Sequence, residues 1–163
     1  MINPWDIDSE LNPTGIEQAN KIGKELQSEG YIFDIIISSP LKRARVTADI
    51  IAENIWYWGE IVEVADLKEK YAWVFKDYYK KQLSEEFWVS IVEEVLQKYP
   101  NKTFEWTEWL ADFEKRVKKA LSEIRAQNEY QNKNILIVSH GWVIEAITWI
   151  SKIGNCELIE IAV

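Results

Sequence analysis

Two residues of this sequence have side chains suited to anion chemistry, and each follows a short apolar run. Arg43 belongs to Ser38-Ser-Pro-Leu-Lys-Arg43, directly after the run 34–38, and His140 follows the run 135–139. A guanidinium beside a helix start donates two parallel hydrogen bonds to phosphate oxygens, and an imidazole attacks phosphorus, carries a proton or stabilises charge. From the residues alone, Arg43 is also consistent with a solvated basic turn, and His140 with a structural histidine.

Strands and helices alternate along the chain, and both residues fall where a predicted strand gives way to a helix. The runs 34–38 and 135–139 are continuous and apolar, which predicts strands covered on both faces, whereas 61–65 and 158–162 alternate. Apolar spacings of three and four predict helices at about 14–28, 40–53, 84–98, 107–127 and 141–152. This order predicts a three-layer α/β domain with a mostly parallel sheet between helices, which binds ligands at the carboxyl ends of its strands.

Composition narrows the class of protein and of ligand. The net charge of −8 repels nucleic acid and anionic membranes, so we expect neither as a partner. One cysteine and one histidine in 163 residues exclude an internal disulfide and a Cys/His zinc cluster. The sequence lacks a membrane-length apolar run and signal-peptide features at its start, which predicts a cytoplasmic protein. We expect a single domain over residues 1–163, with 66–106 as an insertion over the site.

Tryptophan is unusually frequent, with nine residues in the chain. Because each indole buries a large area, most of them are interpreted as core and interface packing. These are Trp56, Trp58, Trp88, Trp106, Trp109 and Trp149. A stacking platform for a sugar or base, and an engineered origin, are the alternatives.

Three blocks of sequence, in their order and spacing, resemble the histidine phosphatase superfamily, also called phosphoglycerate mutase-like proteins. The blocks are Leu11-Asn-Pro-Thr-Gly15-Ile-Glu-Gln18-Ala19, Ser38-Ser-Pro-Leu-Lys-Arg43-Ala-Arg-Val-Thr47-Ala and Val138-Ser-His140-Gly141. The resemblance implies a phosphoglycerate mutase-like fold and a phosphate monoester hydrolase or phosphomutase, with neither a metal nor an organic cofactor. The implied partner is a phosphate-bearing small molecule or inorganic phosphate.

The resemblance also implies roles for individual residues. Arg43 would hold the transferred phosphate, and His140 would line the phosphate pocket and stabilise charge during transfer. Glu69, in Leu67-Lys-Glu69, would be the general acid that protonates the leaving oxygen, although Lys68-Glu69-Lys70 is also typical of a solvated turn. Glu108, ahead of the predicted long helix, is similar to a polar residue near the pocket of relatives and is assigned no role.

The sequence departs from the family pattern in its histidines and in two tryptophans. The family's nucleophile is a histidine in an Arg-His-Gly or Arg-His-Ala motif after the first, central strand, and this chain contains His140 and no other histidine. We therefore expect that central strand to be absent and phosphoryl transfer to be impaired or lost, since its first step lacks a nucleophile. Trp73 and Trp142 stand where relatives often have glycine, so we expect indoles to crowd or roof the pocket.

A missing central strand leaves backbone donors and acceptors without a partner, so another segment is expected in its place. A strand from another chain, a sheet rearranged to include 158–162, and an upstream segment outside the printed sequence all remain open. Strand exchange would make the protein a homo-oligomer. Two hypotheses follow: an enzyme of the histidine phosphatase type, and a non-catalytic or engineered relative that serves as an anion-binding or oligomerising scaffold.

Overall fold

In the part of the chain that the structure describes, the sheet consists of three parallel strands, each formed by one of the apolar runs identified in the sequence. A computed structural model describes residues 8–70, 108 and 110–161. The strands are β1 (Ile35–Ser38), β2 (Ile61–Glu63) and β3 (Ile135–Val138). They lie in the order β2–β1–β3, and Ile36 of the central strand pairs with Ile61 on one side and Leu136 on the other. The predicted α/β domain with a parallel sheet is confirmed.

Four helices flank the strands within the described residues. They are α1 (Pro13–Ser28), α2 (Lys42–Asn54), α3 (Leu110–Ala126) and α4 (Gly141–Thr148), with short 3₁₀ helices at Ala65–Leu67 and Asn128–Tyr130. The first helix begins at Asn12, whose side chain accepts the Gly15 N–H at 2.8 Å, with Pro13 in the first helical position. None of the helices described is both long and apolar enough to cross a bilayer.

The two faces of the sheet carry separate hydrophobic cores, which makes three layers. On one face, Leu26 of α1 and Ile51 of α2 belong to the same buried cluster as Ile36. On the other face, Phe113 of α3 belongs to the same cluster as Ile37. Because neighbouring residues of a strand point to opposite faces, the two adjacent isoleucines of β1 anchor one core each.

The C-terminal part of the chain differs from the sequence-based prediction. Residues 158–161 form no strand, so the fourth predicted strand is wrong over these residues. Leu158 packs against the core on the α1 side, and the Tyr31 hydroxyl donates to the Glu160 carboxylate. Alternating apolar residues become a strand only where the backbone of a neighbouring strand is within reach, and side-chain contacts hold this segment instead.

The end of helix α4 and the exposure of three tryptophans also differ from the sequence-based prediction. Helix α4 ends at Thr148, earlier than predicted, because Trp149 adopts the left-handed conformation with a φ of 62°. Core packing is wrong for Trp56, Trp58 and Trp149, which are 68%, 88% and 75% exposed. Their role in an interface stays a prediction. The helix predicted at 84–98, nearly all of the 66–106 insertion, and Trp73, Trp88, Trp106 and Trp109 lie outside the described residues.

The two-core arrangement predicts different costs for removing the same side chain at two positions near β1. Ile37 is fully buried, whereas Ile32 is 77% exposed. Ile37→Ala is expected to lower the free energy of unfolding by about 2–5 kcal/mol, because it leaves a cavity in the core. Ile32→Ala is the matched control and is expected to cost less than about 0.5 kcal/mol. Urea denaturation measures both, and equal losses would contradict the burial of Ile37.

Candidate active site

The site is built where β1 and β3 end side by side. Ser38 pairs with Val138, and the Ser39 N–H donates to the Val138 carbonyl at 3.0 Å, so the two strand ends are level. Helix α2 begins just after β1 with Leu41 as its N-cap, and α4 begins just after β3 with His140 as its N-cap. Two helix N-termini, whose first N–H groups lack partners within the helix, therefore flank this edge of the sheet.

His140 is held in a defined position by a serine from the neighbouring strand end. The residue is 7% exposed, and its Nε2 lies 2.8 Å from Oγ of the fully buried Ser39. Ser39 Oγ also accepts the Leu41 N–H at 3.3 Å. The imidazole is therefore tied to the turn that leads into α2. Nothing in the sequence singles out Ser39, since a serine in such a turn is common and its contact with His140 is tertiary.

The surroundings of His140 favour the neutral imidazole. Burial, together with the positive charges of Arg43 and Arg116, lowers its pKa from 6.5 to about 3. A neutral ring has a lone pair on one nitrogen and a proton on the other. At neutral pH the residue is thus able to accept or donate a proton, and it acquires a positive charge only when a new negative charge arrives nearby.

Glu69 lies close to Arg43 and to the start of α4, after the 3₁₀ helix that follows β2. Burial raises the pKa of its carboxyl above the usual value, against the backbone N–H of Lys70 and the charge of Arg43, which both act to lower it. The Lys70 N–H donates to the Glu69 carboxylate at 2.9 Å. Glu69 is therefore partly buried rather than part of a solvated turn.

An arginine that the sequence analysis missed connects Glu108 to this region. The Arg116 guanidinium, on α3, donates from Nε and Nη2 to the two carboxylate oxygens of Glu108, both at 2.7 Å. Its Nη1 donates to the backbone carbonyls of Asp66 at 2.6 Å and Lys68 at 3.0 Å. The separation of eight residues between Glu108 and Arg116 is compatible with such a pair, but no pattern in the sequence indicates the contact with 66–68.

One cleft of about 1640 Å³ has Arg43, Glu69 and His140 in its lining and extends along β3. These three residues come from three separate segments, and the charge of Arg43 is close enough to act on the pKa of both Glu69 and His140. Trp142 is not in this lining; its indole is 39% exposed and packs beside Lys70, whose ammonium lies 4.6 Å from the ring centroid. The His, Cys, Asp and Glu side chains within the described ranges form no group of three or more that could hold a metal ion.

The buried environment of His140 predicts an unusually low pKa for its ring. Because the chain has one histidine, its titration is easy to observe. The single histidine gives one imidazole signal in an NMR spectrum, and that signal is expected to stay that of the neutral ring down to about pH 5. Added phosphate is expected to raise the pKa, because a neighbouring dianion favours the protonated ring. A free protein whose ring titrates near 6.5 would contradict the burial of His140.

The lowered pKa of His140 also makes the stability of the fold depend on pH. The folded-state pKa of about 3 lies below the unfolded value of 6.5, so between these values the unfolded chain binds more protons. Acidification from about 6.5 toward about 3 therefore lowers the free energy of unfolding through this residue. In urea denaturation at several pH values, His140→Asn is expected to remove this contribution, and an unchanged pH dependence would show that His140 does not make it.

Comparison with known proteins places the chain in a family. The histidine phosphatase superfamily (branch 1) matches residues 4–158. The uncharacterized phosphatase PhoE of Bacillus subtilis is 34% identical over 151 residues, covering 93% of this chain and 69% of that protein. Among solved structures, the alpha-ribazole phosphatase from Shigella flexneri is 26% identical with a TM-score of 0.57, covering 83% of this chain and 63% of that one.

A mutase shares the same fold. The phosphoglycerate mutase from Bacillus anthracis has a TM-score of 0.65 at 21% identity, covering 86% of this chain and 67% of that one. At this identity the similarity concerns the fold alone. The chain thus spans roughly two thirds of the length of these relatives. With a family match over nearly its whole length and a phosphoglycerate mutase-like α/β fold, the chain belongs to the histidine phosphatase superfamily.

Proposed function

We propose that this chain binds phosphate monoesters at the cleft of Arg43, Glu69 and His140, as a hydrolase or phosphomutase of the histidine phosphatase type with impaired phosphoryl transfer. The observation that carries the proposal is the convergence of a guanidinium, an imidazole and a partly buried carboxyl at the carboxyl ends of the strands. Open parallel sheets bind their ligands at this edge. Helix N-termini and an arginine are suited to the oxygens of a phosphate dianion.

Each residue has a separate part in the proposed reaction. Arg43, in the first turn of α2, donates hydrogen bonds to the non-bridging phosphate oxygens. Glu69 keeps its proton to a higher pH than an exposed carboxyl does, and it gives that proton to the bridging oxygen as the P–O bond breaks. The leaving group departs as a neutral alcohol, and the phosphoryl group passes to a nucleophile.

The nucleophile is the weak point of the site. The family's transfer uses two imidazoles, one that attacks phosphorus and one that stabilises charge, and the printed sequence has one histidine. His140 in its neutral form has a lone pair, but its Nε2 lies within hydrogen-bonding distance of Ser39. Efficient transfer then requires a nucleophile from polypeptide outside the printed sequence, or His140 in that role with no second imidazole to assist it.

Binding and turnover test this proposal separately. Arg43→Ala is expected to weaken phosphate binding about tenfold or more, because it removes charge-assisted hydrogen bonds worth about 1.5–3 kcal/mol. The measurements are phosphate titration by NMR, and hydrolysis of p-nitrophenyl phosphate and sugar phosphates between about pH 5 and 8. Any hydrolysis by the wild type is expected to fall in both His140→Ala and Arg43→Ala.

A neighbouring arginine supplies the control. Arg45 is also on α2, but it pairs with Asp49 and Glu63 rather than lining the cleft. Arg45→Ala is expected to leave phosphate binding and hydrolysis unchanged. Binding and activity indifferent to substitution of both Arg43 and His140 would remove the proposal, and phosphate binding without hydrolysis would restrict it to an anion site.

A second candidate function is that of an oligomerising scaffold. It is favoured by the edge of β3 that faces away from β1. The Val138 carbonyl accepts the N–H of Ser39, the residue after β1, and backbone groups of a strand alternate in direction, so those of Ile135 and Ile137 point away from β1. Within residues 8–70, 108 and 110–161, no strand pairs with this side of β3. Exposed strand edges are templates for pairing with another chain.

The cleft beside this edge has the size and lining for a polypeptide strand. Its volume of about 1640 Å³ exceeds the roughly 300–1,000 Å³ typical of small-molecule sites. Its walls include Ile22 and Leu26 of α1, Ile144 and Ile147 of α4, and Ile161. An apolar extended segment would bury these side chains while its backbone pairs with β3. The occupant that we propose is a strand from a second copy of this chain.

Strand exchange between copies predicts a dimer or larger species at micromolar concentration, measured by light scattering. Ile161→Lys, which places a charge in the cleft wall at a 42% exposed position, is expected to shift the protein toward the monomer. Val46→Lys, at a 37% exposed position on α2 away from the cleft, is the control and is expected to leave the oligomeric state unchanged. A wild-type protein that is strictly monomeric would exclude strand exchange.

A further inference from the structure

We propose that Arg116, held by Glu108, is a positioning residue that fixes the Glu69 carboxyl relative to Arg43 and His140. This inference rests on the proposed function, because it concerns the general acid of the same site. Arg116 lies on α3, outside the sheet edge that carries the other residues of the site. Its effect on the reaction would act through the backbone of the segment that carries Glu69.

The guanidinium is held in one orientation by its partner. The two parallel hydrogen bonds to Glu108 form a fork, and both side chains are largely buried, with 21% and 18% of their surface exposed. A fork of this kind fixes the guanidinium plane as well as its distance. The remaining nitrogen, Nη1, is thereby directed at the carbonyls of Asp66 and Lys68.

Those two carbonyls belong to the turn that ends at Glu69. A third carbonyl of the same turn, that of Leu67, accepts the Ser139 hydroxyl at 2.8 Å. Three consecutive carbonyls before Glu69 are therefore fixed by side chains, two by α3 and one by the residue that precedes His140. The Leu67 bond ties the turn to the end of β3, and the Arg116 bonds set its distance from α3.

Arg116 also acts on the site through its charge. Burial is the main cause of both pKa shifts, raising that of Glu69 and lowering that of His140, and the charge of Arg116 acts to lower both, which places it within electrostatic reach of the two groups. The other groups that act on Glu69 are Arg43 from α2, the backbone N–H of Lys70, and the backbone N–H of Trp142 at the start of α4. Burial lowers the pKa of Lys70, and the nearby charges of Glu108 and Glu69 oppose that shift.

A purely structural ion pair and a positioning residue predict different results. Loss of a purely structural pair would lower stability and leave kcat unchanged in the molecules that remain folded, whereas loss of a positioning residue lowers kcat. Loss of Arg116 as a positioning residue removes a charge that lowers the Glu69 pKa, so that pKa rises. Because Glu69 has to be protonated to act as the acid, the alkaline limb of the pH profile then moves to higher pH.

The test compares Arg116→Met, Arg116→Lys and the control Arg45→Met with the wild type. Arg45→Met removes an arginine that also pairs with two carboxylates, but outside the cleft. The Glu69 carboxyl is titrated by ¹³C NMR, which requires no turnover, and hydrolysis of p-nitrophenyl phosphate gives kcat and KM. Circular dichroism establishes that each variant is folded at the temperature used.

The expected results separate charge from geometry. Arg116→Met raises the Glu69 pKa, whereas Arg116→Lys keeps the charge and leaves that pKa near the wild-type value. Both variants lose the fork, so kcat falls about tenfold or more while KM changes less. Arg45→Met leaves the Glu69 titration and kcat unchanged.

Each contrary outcome has a definite meaning. A wild-type kcat in Arg116→Lys would overturn the positioning role, and an unchanged Glu69 titration in Arg116→Met would overturn the electrostatic effect of Arg116 on Glu69. If Arg116→Met does not fold, the kcat of Arg116→Lys decides. If no protein, the wild type included, hydrolyses the ester while the Glu69 pKa still rises in Arg116→Met, the proposed hydrolysis fails and the structural link between Arg116 and Glu69 stands.

Discussion

The site depends on one interaction, the parallel pairing of β1 with β3. This ladder sets Ser38 opposite Val138 and joins the Ser39 N–H to the Val138 carbonyl, so the residues after both strands meet at one edge. The contact between His140 and Ser39 follows from that register. A shift of one residue would move every side chain of β3 to the other face of the sheet and separate the imidazole from its serine.

The candidate site is locally positive, whereas the whole molecule is negatively charged. The chain has a net charge of −8, yet Arg43 and Arg116 both lie close enough to His140 to lower its pKa. Because the overall field repels anions, the phosphate binding that we propose requires a local attraction. Glu108 balances one of the two guanidiniums, which leaves Arg43 as the positive group that we assign to the ligand.

Much of the fold and part of the candidate site follow from short-range sequence patterns. Apolar runs predict β1, β2 and β3, and their positions at the ends of predicted strands mark Arg43 and His140 as candidate ligand-binding residues, whereas Glu69 is indicated by the family resemblance alone. Ser39 and Arg116 could not be assigned before the structure, since their partners lie in distant segments and no local spacing encodes such contacts. The incorrect prediction of a strand at 158–161 has a similar cause. Alternation of apolar residues is a feature of one segment, whereas a strand forms only when two segments pair through their backbones.

The sequence separation of β1 and β3 governs how this protein acquires its structure. Ile35 pairs with Ile135, so the ladder joins residues a hundred positions apart. Closing this long loop costs conformational entropy before any hydrogen bond of the ladder has formed. Contacts of this kind form late and slowly compared with the helices. The edge that carries the candidate site is therefore expected to assemble near the end of folding, and until then the apolar isoleucines of both strands are open to intermolecular association, most of all at high protein concentration.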